Sequence, residues 1–485
     1  MQTVTLQDLT KTLPHLDPVP VEALLHREIE KHPGKIVVLD DDPTGVQTVH
    51  DIYVYTDCTL ASIREGFSRP ERLFYLLTNS RGLTEEETTA LHRQIALDLA
   101  TVSQETHIPF QVILRGDSTL RGHYPLEPLL MKHTLEDALQ LHFDGEILCP
   151  FFLEGGRYTA SDIHYVADHD QLIPAGQTEF AKDKTFGYQA SDLKEYIEEK
   201  TQGKVKADSV ASISLEMLRN EDYYLIYNIL MGLHDYGHVI VNALDYADLE
   251  VFAVAYYRAI AAGKRFLIRS SASLVRVLGD VSPRPLLTAQ DLHVNGQGGL
   301  IVAGSHTKKT TAQLEALLQL PDVQCVTFNQ HLVLEAEAFA QEIERVVREA
   351  DSLIAKGRTV VIMTRRERID AGTGNPEDDL IIAVKISTAI TDIVARLTHQ
   401  PAYIIAKGGI TSSDIGTKAL KVHRALVMGQ ILPGIPVWQT GPESRFPGLP
   451  YIIFPGNVGE ADSLRRIVET LSYSSKGESS CHNKS

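Results

Sequence analysis

The sequence predicts an α/β protein with two domains, each built on a mainly parallel sheet flanked by helices. Short runs of β-branched and aliphatic residues, typical of buried strands, alternate with segments of helical period along most of the chain. A chain of 485 residues is too long for one hydrophobic core, and a proline-rich stretch without periodicity lies at 282–295. We therefore expect domains at 33–281 and 295–472, with flanking segments at 1–32 and 473–485.

The composition excludes several classes of function. The formal net charge of -17 argues against nonspecific binding to nucleic acid or to anionic membranes, because both need a basic surface. No apolar run is long enough to span a bilayer, and the N-terminus lacks the basic and apolar pattern of a signal peptide. The scattered cysteines lack CxxC spacing, which argues against structural zinc. We therefore expect a cytoplasmic protein that binds small molecules.

The first predicted strand ends in an acidic turn. Residues 36–39 read IVVL, and DDDPTG follows directly at 40–45. Three carboxylates beside a buried strand repel one another, so such a cluster persists where a cation, a ligand or a bound proton compensates it. The turn is either a site at the carboxyl edge of the sheet or a solvated acidic turn before an edge strand. We favour the site, because no polar spacer separates the acids from the strand.

Asn79 and Arg81 follow the next strand, LFYLL, along the chain. Thr84 and Glu87 then have the spacing of a capping box, which predicts the start of a long helix. Strands that alternate with helices in this way indicate βαβ units and parallel pairing.

A third polar cluster follows the strand VIL at 112–114, in the stretch RGDSTLRG. Two arginines that flank an Asp-Ser-Thr turn fit a bound carboxylate, while the hydroxyl groups and Asp117 fit sugar hydroxyl groups. A surface salt-bridge cluster is the alternative. Because the carboxyl ends of parallel strands meet at one edge of a sheet, we expect this cluster to lie beside the acidic turn.

The segment 171–193 lacks clear periodicity, and we expect a long loop over the pocket. His164, Asp168 and His169 precede it, but their spacing fits no zinc pattern, so a polar loop is favoured over a metal site.

Three strand-to-helix junctions of the second domain combine glycine with small polar residues. They are GSHT at 304–307, KGGITSS at 407–413 and PGNVG at 455–459. Glycine lets a phosphate approach the backbone, a helix N-terminus favours its charge, and Lys407 can neutralise it. Neither a Walker motif nor GxGxxG is present. The three junctions predict a nucleotide or phosphate site, with plain connectors as the alternative.

Taken in order, DDDPTG, RGDSTLRG, GSHT, KGGITSS and PGNVG resemble the four-carbon acid sugar kinase family (tetronate or 3-oxo-tetronate kinase-like, DUF1537), over residues 33–470. The resemblance implies a substrate-binding N-terminal domain, a nucleotide-binding C-terminal domain and an active site in the cleft between them. It also implies that ATP, with Mg²⁺, phosphorylates a hydroxyl group, the terminal one, of a four-carbon acid such as threonate, erythronate or 3-oxo-tetronate.

The resemblance and the strand-end clusters together assign the site residues. Asp42 or Asp117 is the general base. The substrate-binding residues are Asp41, Thr44, Gly45, Asn79, Arg81, Arg115, Ser118, Thr119 and Arg121, with Arg115 and Arg121 on the carboxylate. The ATP-binding residues are Ser305, Lys407, Gly408, Gly409, Ile410, Thr411, Gly456 and Gly459.

Ile410 departs from the family pattern, because an acid usually stands at this position. Because Ile410 cannot bind a metal ion, the sequence does not identify the residues that would do so. A long insertion after Gly155 leaves the particular acid and its stereoisomer open, and the sequence does not decide between a monomer and a homo-oligomer.

Two other functions fit parts of the sequence. Asp40, Asp42 and Thr44 have the DxDxT spacing of haloacid-dehalogenase-type phosphatases, with Asp40 as nucleophile and Asp42 as acid/base. That assignment lacks a later acidic pair on a buried strand, since Asp378 and Asp379 follow a loop, and it gives the glycine junctions no role. A noncatalytic sensor of sugar acids would use the same pocket without a base.

Overall fold

The structure, a computed structural model, describes residues 3–294, 298–304, 306–367, 369, 376–456 and 458–472; of residues 376–380 only the backbone is described. The chain divides into two compact units, Met1–Pro283 and Arg284–Ser485, which confirms the prediction of two domains. Ser305, which the sequence assigns to ATP binding, lies outside the described residues.

The first unit alternates strands and helices. Its strands are β1 Lys35–Asp40, β2 Ile52–Tyr55, β3 Leu73–Leu77, β4 Phe110–Arg115, β5 Gly145–Cys149, β6 Arg157–Ala160, β7 Ile163–Asp168, β8 Gln171–Pro174, β9 Ala211–Ile213, β10 Gly237–Val241 and β11 Phe266–Ser270. Its helices are α1 Leu6–Thr10, α2 Pro18–Glu30, α3 Leu60–Ser68, α4 Glu85–Thr106, α5 Leu126–Leu139, α6 Leu193–Lys200, α7 Leu215–Arg219, α8 Tyr223–Gly232, α9 Tyr246–Ala261 and α10 Ala272–Leu278.

The main sheet of this unit is parallel throughout its described pairs. Its strand order is β2-β3-β1-β4-β11-β5-β10-β9. Every residue of β1 and β3 is buried, as expected where helices cover both faces of a sheet. Helices α3, α4 and α5 contribute to one shared core cluster with β1, β3 and β4. The predicted α/β fold with a mainly parallel sheet is therefore confirmed.

Local sequence signals account for the helix starts. Thr84 and Glu87 form the predicted capping box at the start of α4. Asp17 caps α2, and Pro18 occupies its first turn, where the missing N–H group is tolerated. Helix α2 lies in the predicted flanking segment and packs against α9.

The insertion after Gly155 forms a small antiparallel sheet of β6, β7 and β8. The prediction of a loop at 171–193 is wrong in part, because Gln171–Pro174 pairs with β7 and short 3₁₀ helices follow at Ala175–Gln177 and Phe180–Lys182. The short strand escaped notice because a four-residue strand carries too little alternation to stand out.

The second unit repeats the alternation of strands and helices. Its strands are β12 Leu300–Ala303, β13 Val323–Phe328, β14 Thr359–Thr364, β15 Ile404–Lys407, β16 Arg424–Leu432, β17 Ile435–Thr440 and β18 Pro450–Phe454. Its helices are α11 Lys308–Leu317, α12 Ala336–Ala355, α13 Pro376–Arg396, α14 Gly409–Asp414 and α15 Ser463–Ser472, with a π-helical turn at Ile415–Ala419.

The sheet of the second unit has the order β13-β14-β12-β15-β18-β17-β16. Five neighbouring strands, β13, β14, β12, β15 and β18, run parallel to one another. Strand β17 is antiparallel to its two neighbours, β18 and β16. No helix among the described residues is both long enough and apolar enough to cross a membrane.

Candidate active site

The polar ends of β1, β3 and β4 lie side by side. Asp40 is in register with Leu77 of β3 on one side and with Arg115 of β4 on the other. Arg115 is in turn in register with Ser270 of β11. Because β1 has β3 and β4 as its neighbours, the sheet grows in opposite directions from this point, which is where open α/β sheets bind ligands.

Arg81 holds three of these turns together. Its Nη2 lies 3.3 Å from Oδ1 of Asp41 and 2.8 Å from Oδ2 of Asp42, and its Nη1 lies 3.6 Å from Oδ1 of Asp117. Asn79 precedes it in the left-handed region, with φ of 51°, a conformation that Asn tolerates better than most residues. That backbone turn directs the chain after β3 into the 3₁₀ helix that carries Arg81.

Arg115 is paired with the first two acids of the acidic turn. Its Nη1 lies 3.3 Å from Oδ1 of Asp40 and 3.6 Å from Oδ1 of Asp41, and all three side chains are buried. Burial raises the pKa of Asp40 to about 8; Arg115 opposes the shift, and Asp41 and Asp42 add to it. Burial also raises the pKa of Asp41, although Arg81 and Arg115 oppose the shift. Asp40 therefore carries a proton at neutral pH.

Asp42 and Asp117, by contrast, are ionised. Burial raises the pKa of Asp42, but Arg81 and the hydrogen bonds from Thr44 lower it by more, so it lies below its usual value. Oδ1 of Asp42 accepts hydrogen bonds from N and Oγ1 of Thr44, at 2.8 and 2.5 Å. Burial likewise raises the pKa of Asp117, but Arg81 and Arg121 hold it well below its usual range. Their side chains keep 21% and 12% exposure, so solvent reaches both carboxylates.

The turn after β4 is fixed from several sides. Nε of Arg121 donates to Oδ2 of Asp117 at 2.6 Å, and the Thr119 hydroxyl donates to the same carboxylate oxygen. Ser118 and Thr119 are buried, and the Ser118 carbonyl lies 2.8 Å from Nε2 of His164. Burial lowers the pKa of His164 to about 4, so its imidazole is neutral. His164 is thus a structural residue of this turn.

Two glycines allow the charged side chains to pack this closely. A Cβ atom at Gly45 would lie 1.9 Å from Oδ2 of Asp40, and one at Gly116 would lie 2.2 Å from Nη2 of Arg269. A methyl group fits at neither position, which gives the glycines of DDDPTG and RGDS a physical reason.

Sequence reasoning missed a supporting ion pair. Nη1 of Arg269, on β11, donates to Oε2 of Glu127 at 2.7 Å, and Oε1 of Glu127 accepts from the Ser80 hydroxyl at 2.5 Å. The stretch FLIRSS at 266–271 is an apolar strand that ends in polar residues, which is the signal that pointed to the other strand ends.

The insertion contacts the RGDSTLRG turn, where the sequence predicted only a loop over the pocket. Arg121 lies over the ring of Phe180, with Cζ 5.2 Å from the ring centroid, and its Nη1 lies 3.8 Å from Oδ2 of Asp183. Arg157 approaches the same ring, at 5.8 Å. Arg157, Phe180 and Asp183 lie in the insertion, where no periodicity or spacing related them to RGDSTLRG.

The glycine junctions of the second unit also lie side by side. Ala303 is in register with Lys407, and Lys407 is in register with Phe454, so the three junctions follow neighbouring strands. Gly408 has φ of 115°, which favours glycine, and its N–H donates to the Phe454 carbonyl at 2.9 Å. Gly409, Ile410 and Thr411 open α14, and Gly456 and Gly459 lie in the loop after β18.

Lys407 lies beneath the PGNVG loop. Its side chain is buried, and Nζ donates to the carbonyl oxygens of Pro455 and Gly456, at 2.6 and 3.3 Å. Burial lowers the pKa of Lys407 to about 7, with a further contribution from Lys309. Gln313 of α11 supports the same loop by donating to the carbonyl groups of Val458 and of Glu460, the residue after the loop, a contact that the sequence did not reveal. Ile410, in contrast, is 75% exposed.

The comparisons with known proteins match the two units separately. A family model described as a sugar-binding N-terminal domain matches residues 36–278, and one described as a nucleotide-binding C-terminal domain matches residues 300–464. The chain belongs to the four-carbon acid sugar kinase family. The acidic turn at 40–45 thus lies in the sugar-binding domain of this kinase family, and the glycine junctions lie in its nucleotide-binding domain.

Solved structures share the fold of this family member. A Salmonella typhimurium LT2 protein with the provisional description of tRNA synthase is 16% identical, with a TM-score of 0.64, over 89% of this chain and 98% of that one. A Haemophilus influenzae protein of family DUF1537 is 17% identical, with a TM-score of 0.59, over 90% of this chain and 100% of that one. No curated protein matches the chain.

Proposed function

We propose that this protein is an ATP-dependent kinase that phosphorylates a hydroxyl group, the terminal one, of a four-carbon sugar acid such as threonate, erythronate or 3-oxo-tetronate. The observation that carries the proposal is the pair of ionised carboxylates, Asp42 and Asp117, held by Arg81 within the domain matched as sugar-binding. Phosphoryl transfer to an alcohol needs an ionised carboxylate beside the hydroxyl group, together with positive charge that positions the substrate.

Asp42 or Asp117 accepts the hydroxyl proton in this proposal. Each carboxylate is ionised at neutral pH and keeps some exposure to solvent. The remaining substrate contacts come from residues of the same three turns, namely Asp41, Thr44, Gly45, Asn79, Ser118, Thr119 and Arg121. Arg115 already contacts the side chains of Asp40 and Asp41, so we assign it to positioning the acidic turn.

ATP binds to the glycine junctions of the second unit in this proposal. Gly409, Ile410, Thr411, Gly456 and Gly459 supply backbone N–H groups and close approach in this proposal, Gly408 supplies the left-handed turn before them, and Ser305 belongs to the same set. Lys407 supports them from below, because its Nζ bonds to the carbonyl groups of the PGNVG loop. Its positive charge also lies close to where phosphates would bind.

Mg²⁺ enters the proposal as the ion that arrives with ATP. Among the described residues, no group of three His, Cys, Asp or Glu side chains is placed to hold a metal ion. Kinases commonly hold Mg²⁺ through the phosphates and one or two carboxylates, and Asp42 and Asp117 are ionised carboxylates that fit that role. The ion would neutralise charge on the phosphate oxygens.

The phosphatase alternative requires Asp40 to act as a nucleophile. An aspartyl nucleophile must be ionised and must reach the phosphorus atom. Asp40 is 1% exposed, its pKa is raised to about 8 by burial, and Gly45 packs directly on its carboxyl group. The geometry therefore favours the kinase.

The test is ADP release from Mg-ATP by the purified protein with a panel of threonates, erythronates and 3-oxo-tetronates, and a panel of phosphate esters without ATP in parallel. We expect ADP release that depends on the acid. Phosphate release from the esters without ATP would support the phosphatase instead. Binding of an acid without turnover would support the sensor.

A further inference from the structure

The arginines around the acidic turn are almost all neutralised within the protein. Four of them have a carboxylate oxygen within hydrogen-bond or ion-pair distance: Arg81 with Asp42 at 2.8 Å, Arg115 with Asp41 at 3.6 Å, Arg121 with Asp117 at 2.6 Å and Arg269 with Glu127 at 2.7 Å. An anionic substrate gains little from a guanidinium that is already paired, because binding would have to compete with the existing partner.

Arg157, at the start of β6, differs from these arginines. Among the described residues no carboxylate lies within ion-pair distance of its guanidinium, and its hydrogen bond goes to the Gly155 carbonyl. Its Nε is buried and has no hydrogen-bond partner in the described part of the chain. Burial lowers the pKa of Arg157, Arg121 adds to the shift, and Asp117 opposes it. A buried cation with an unused donor is destabilising unless a ligand satisfies it.

The position of Arg157 links it to the proposed substrate site. Its guanidinium lies over the ring of Phe180, on which Arg121 also lies, and Arg121 is bonded to Asp117. Arg157 and Arg121 thus share the Phe180 ring, and Arg121 contacts Asp117, which we propose as a candidate base. The positive charge of Arg157 also contributes to lowering the pKa of His164. Nε2 of His164 contacts the Ser118 carbonyl in the RGDSTLRG turn.

We infer that Arg157 binds the carboxylate group of the acid substrate and thereby selects sugar acids over neutral polyols. This inference rests on the proposed function. A planar guanidinium with a free Nε fits a carboxylate, and partial burial strengthens the resulting charge-assisted hydrogen bonds. Arg121 contributes to the positive field while it stays on Asp117, so the acid is anchored at Arg157 and its hydroxyl groups extend towards the ionised carboxylates.

The test compares Arg157→Gln and Arg157→Lys with the wild-type enzyme. The substrates are the panel acid that gives most ADP and its neutral amide, in which the carboxylate is replaced by an uncharged group of similar shape. We expect Arg157→Gln to lower kcat/KM for the acid on the order of 100-fold, and for the amide by no more than a few-fold, because only the acid loses its charged partner. Arg157→Lys keeps the charge without the fork and should restore part of the preference.

The control is Arg64→Gln, which removes a half-exposed arginine that pairs with Glu105 on the surface. Its acid preference should equal that of the wild type. Equal losses for acid and amide in Arg157→Gln, no loss for either, or an effect on the KM of ATP alone would overturn the inference. If the wild-type protein itself releases no ADP with any acid, it is the proposed function that fails.

Discussion

Nη2 of Arg81 lies 2.8 Å from Oδ2 of Asp42, and this ion pair joins the turn after β3 to the turn after β1. The same guanidinium reaches Asp117 at 3.6 Å. Arg81 therefore keeps both candidate bases ionised, and it fixes their positions relative to each other. A substrate hydroxyl group that contacts either carboxylate meets an acceptor without a bound proton.

The first prediction separates the two candidate bases. Asp42→Asn and Asp117→Asn each remove one ionised carboxylate and preserve its shape. The variant that lacks the base should lose about 10²- to 10⁴-fold in kcat, and the other should show mainly a raised KM for the acid. Asp168→Asn is the matched control, since Asp168 is 68% exposed on β7. Retention of kcat in both variants would remove these two residues from catalysis.

The second prediction concerns Asp40 and pH. Its pKa of about 8 in the folded state lies above the ordinary value of about 4, so between these pH values the folded state holds a proton that the unfolded state lacks. Stability should therefore fall as pH rises through this range. Asp40→Asn cannot ionise, and its melting temperature should fall less over the same range.

Activity gives a second measurement on Asp40→Asn. If the protein is a kinase, Asp40→Asn should retain acid-dependent ADP release, because Asn keeps the shape of the protonated carboxyl group. A complete loss of turnover in a variant that remains folded would show that Asp40 takes part in catalysis.

The third prediction concerns the close packing at Gly45. Gly45→Ala places a methyl group 1.9 Å from Oδ2 of Asp40, and such overpacking costs about 1–3 kcal/mol of the free energy of unfolding. Gly82→Ala is the control, because a Cβ atom there would have no described atom within 4 Å other than those of its chain neighbours. Urea unfolding of both variants measures the difference. Equal stability would show that the acidic turn has room to relax.

The fourth prediction concerns Lys407 and ATP. Burial holds its pKa at about 7, so its positive charge is lost as pH rises through neutrality. ATP binding, followed by calorimetry, should therefore weaken above about pH 7 in the wild type. Lys407→Met should bind ATP roughly tenfold more weakly at pH 6 and show a flatter pH profile. Lys418→Met, at a side chain that is 68% exposed, serves as control. An unchanged profile in Lys407→Met would assign the pH dependence to another group.

The strand ends were the most predictable part of the molecule. A buried apolar run followed directly by Asp40, by Asn79 and Arg81, or by Arg115 identified each strand and its direction, and parallel pairing brought these ends together. The partners of the buried charges were not predictable, because pairing depends on tertiary distances. Arg115 was expected to bind substrate, and its nearest described partners are the acids of the neighbouring turn.

Two features of the structure were not predicted, because their sequence signals were weak or were overlooked. The β16–β17 hairpin turns at Pro433 and Gly434, between two apolar runs, which is a recognisable turn signal that the expectation of a parallel sheet obscured. Arg157 lies in the insertion, where no periodicity related it to the RGDSTLRG turn. We inferred its role from its Nε, which has no hydrogen-bond partner among the described residues.

The most direct test of the kinase account is phosphorus NMR of a reaction that contains the protein, Mg-ATP and the active sugar acid. We expect a new phosphate monoester signal that grows in step with loss of the γ-phosphate of ATP. In the variant that lacks the base, Asp42→Asn or Asp117→Asn, this signal should grow about 10²- to 10⁴-fold more slowly. Formation of inorganic phosphate alone, or an unchanged spectrum with an acid that binds, would contradict transfer to the acid.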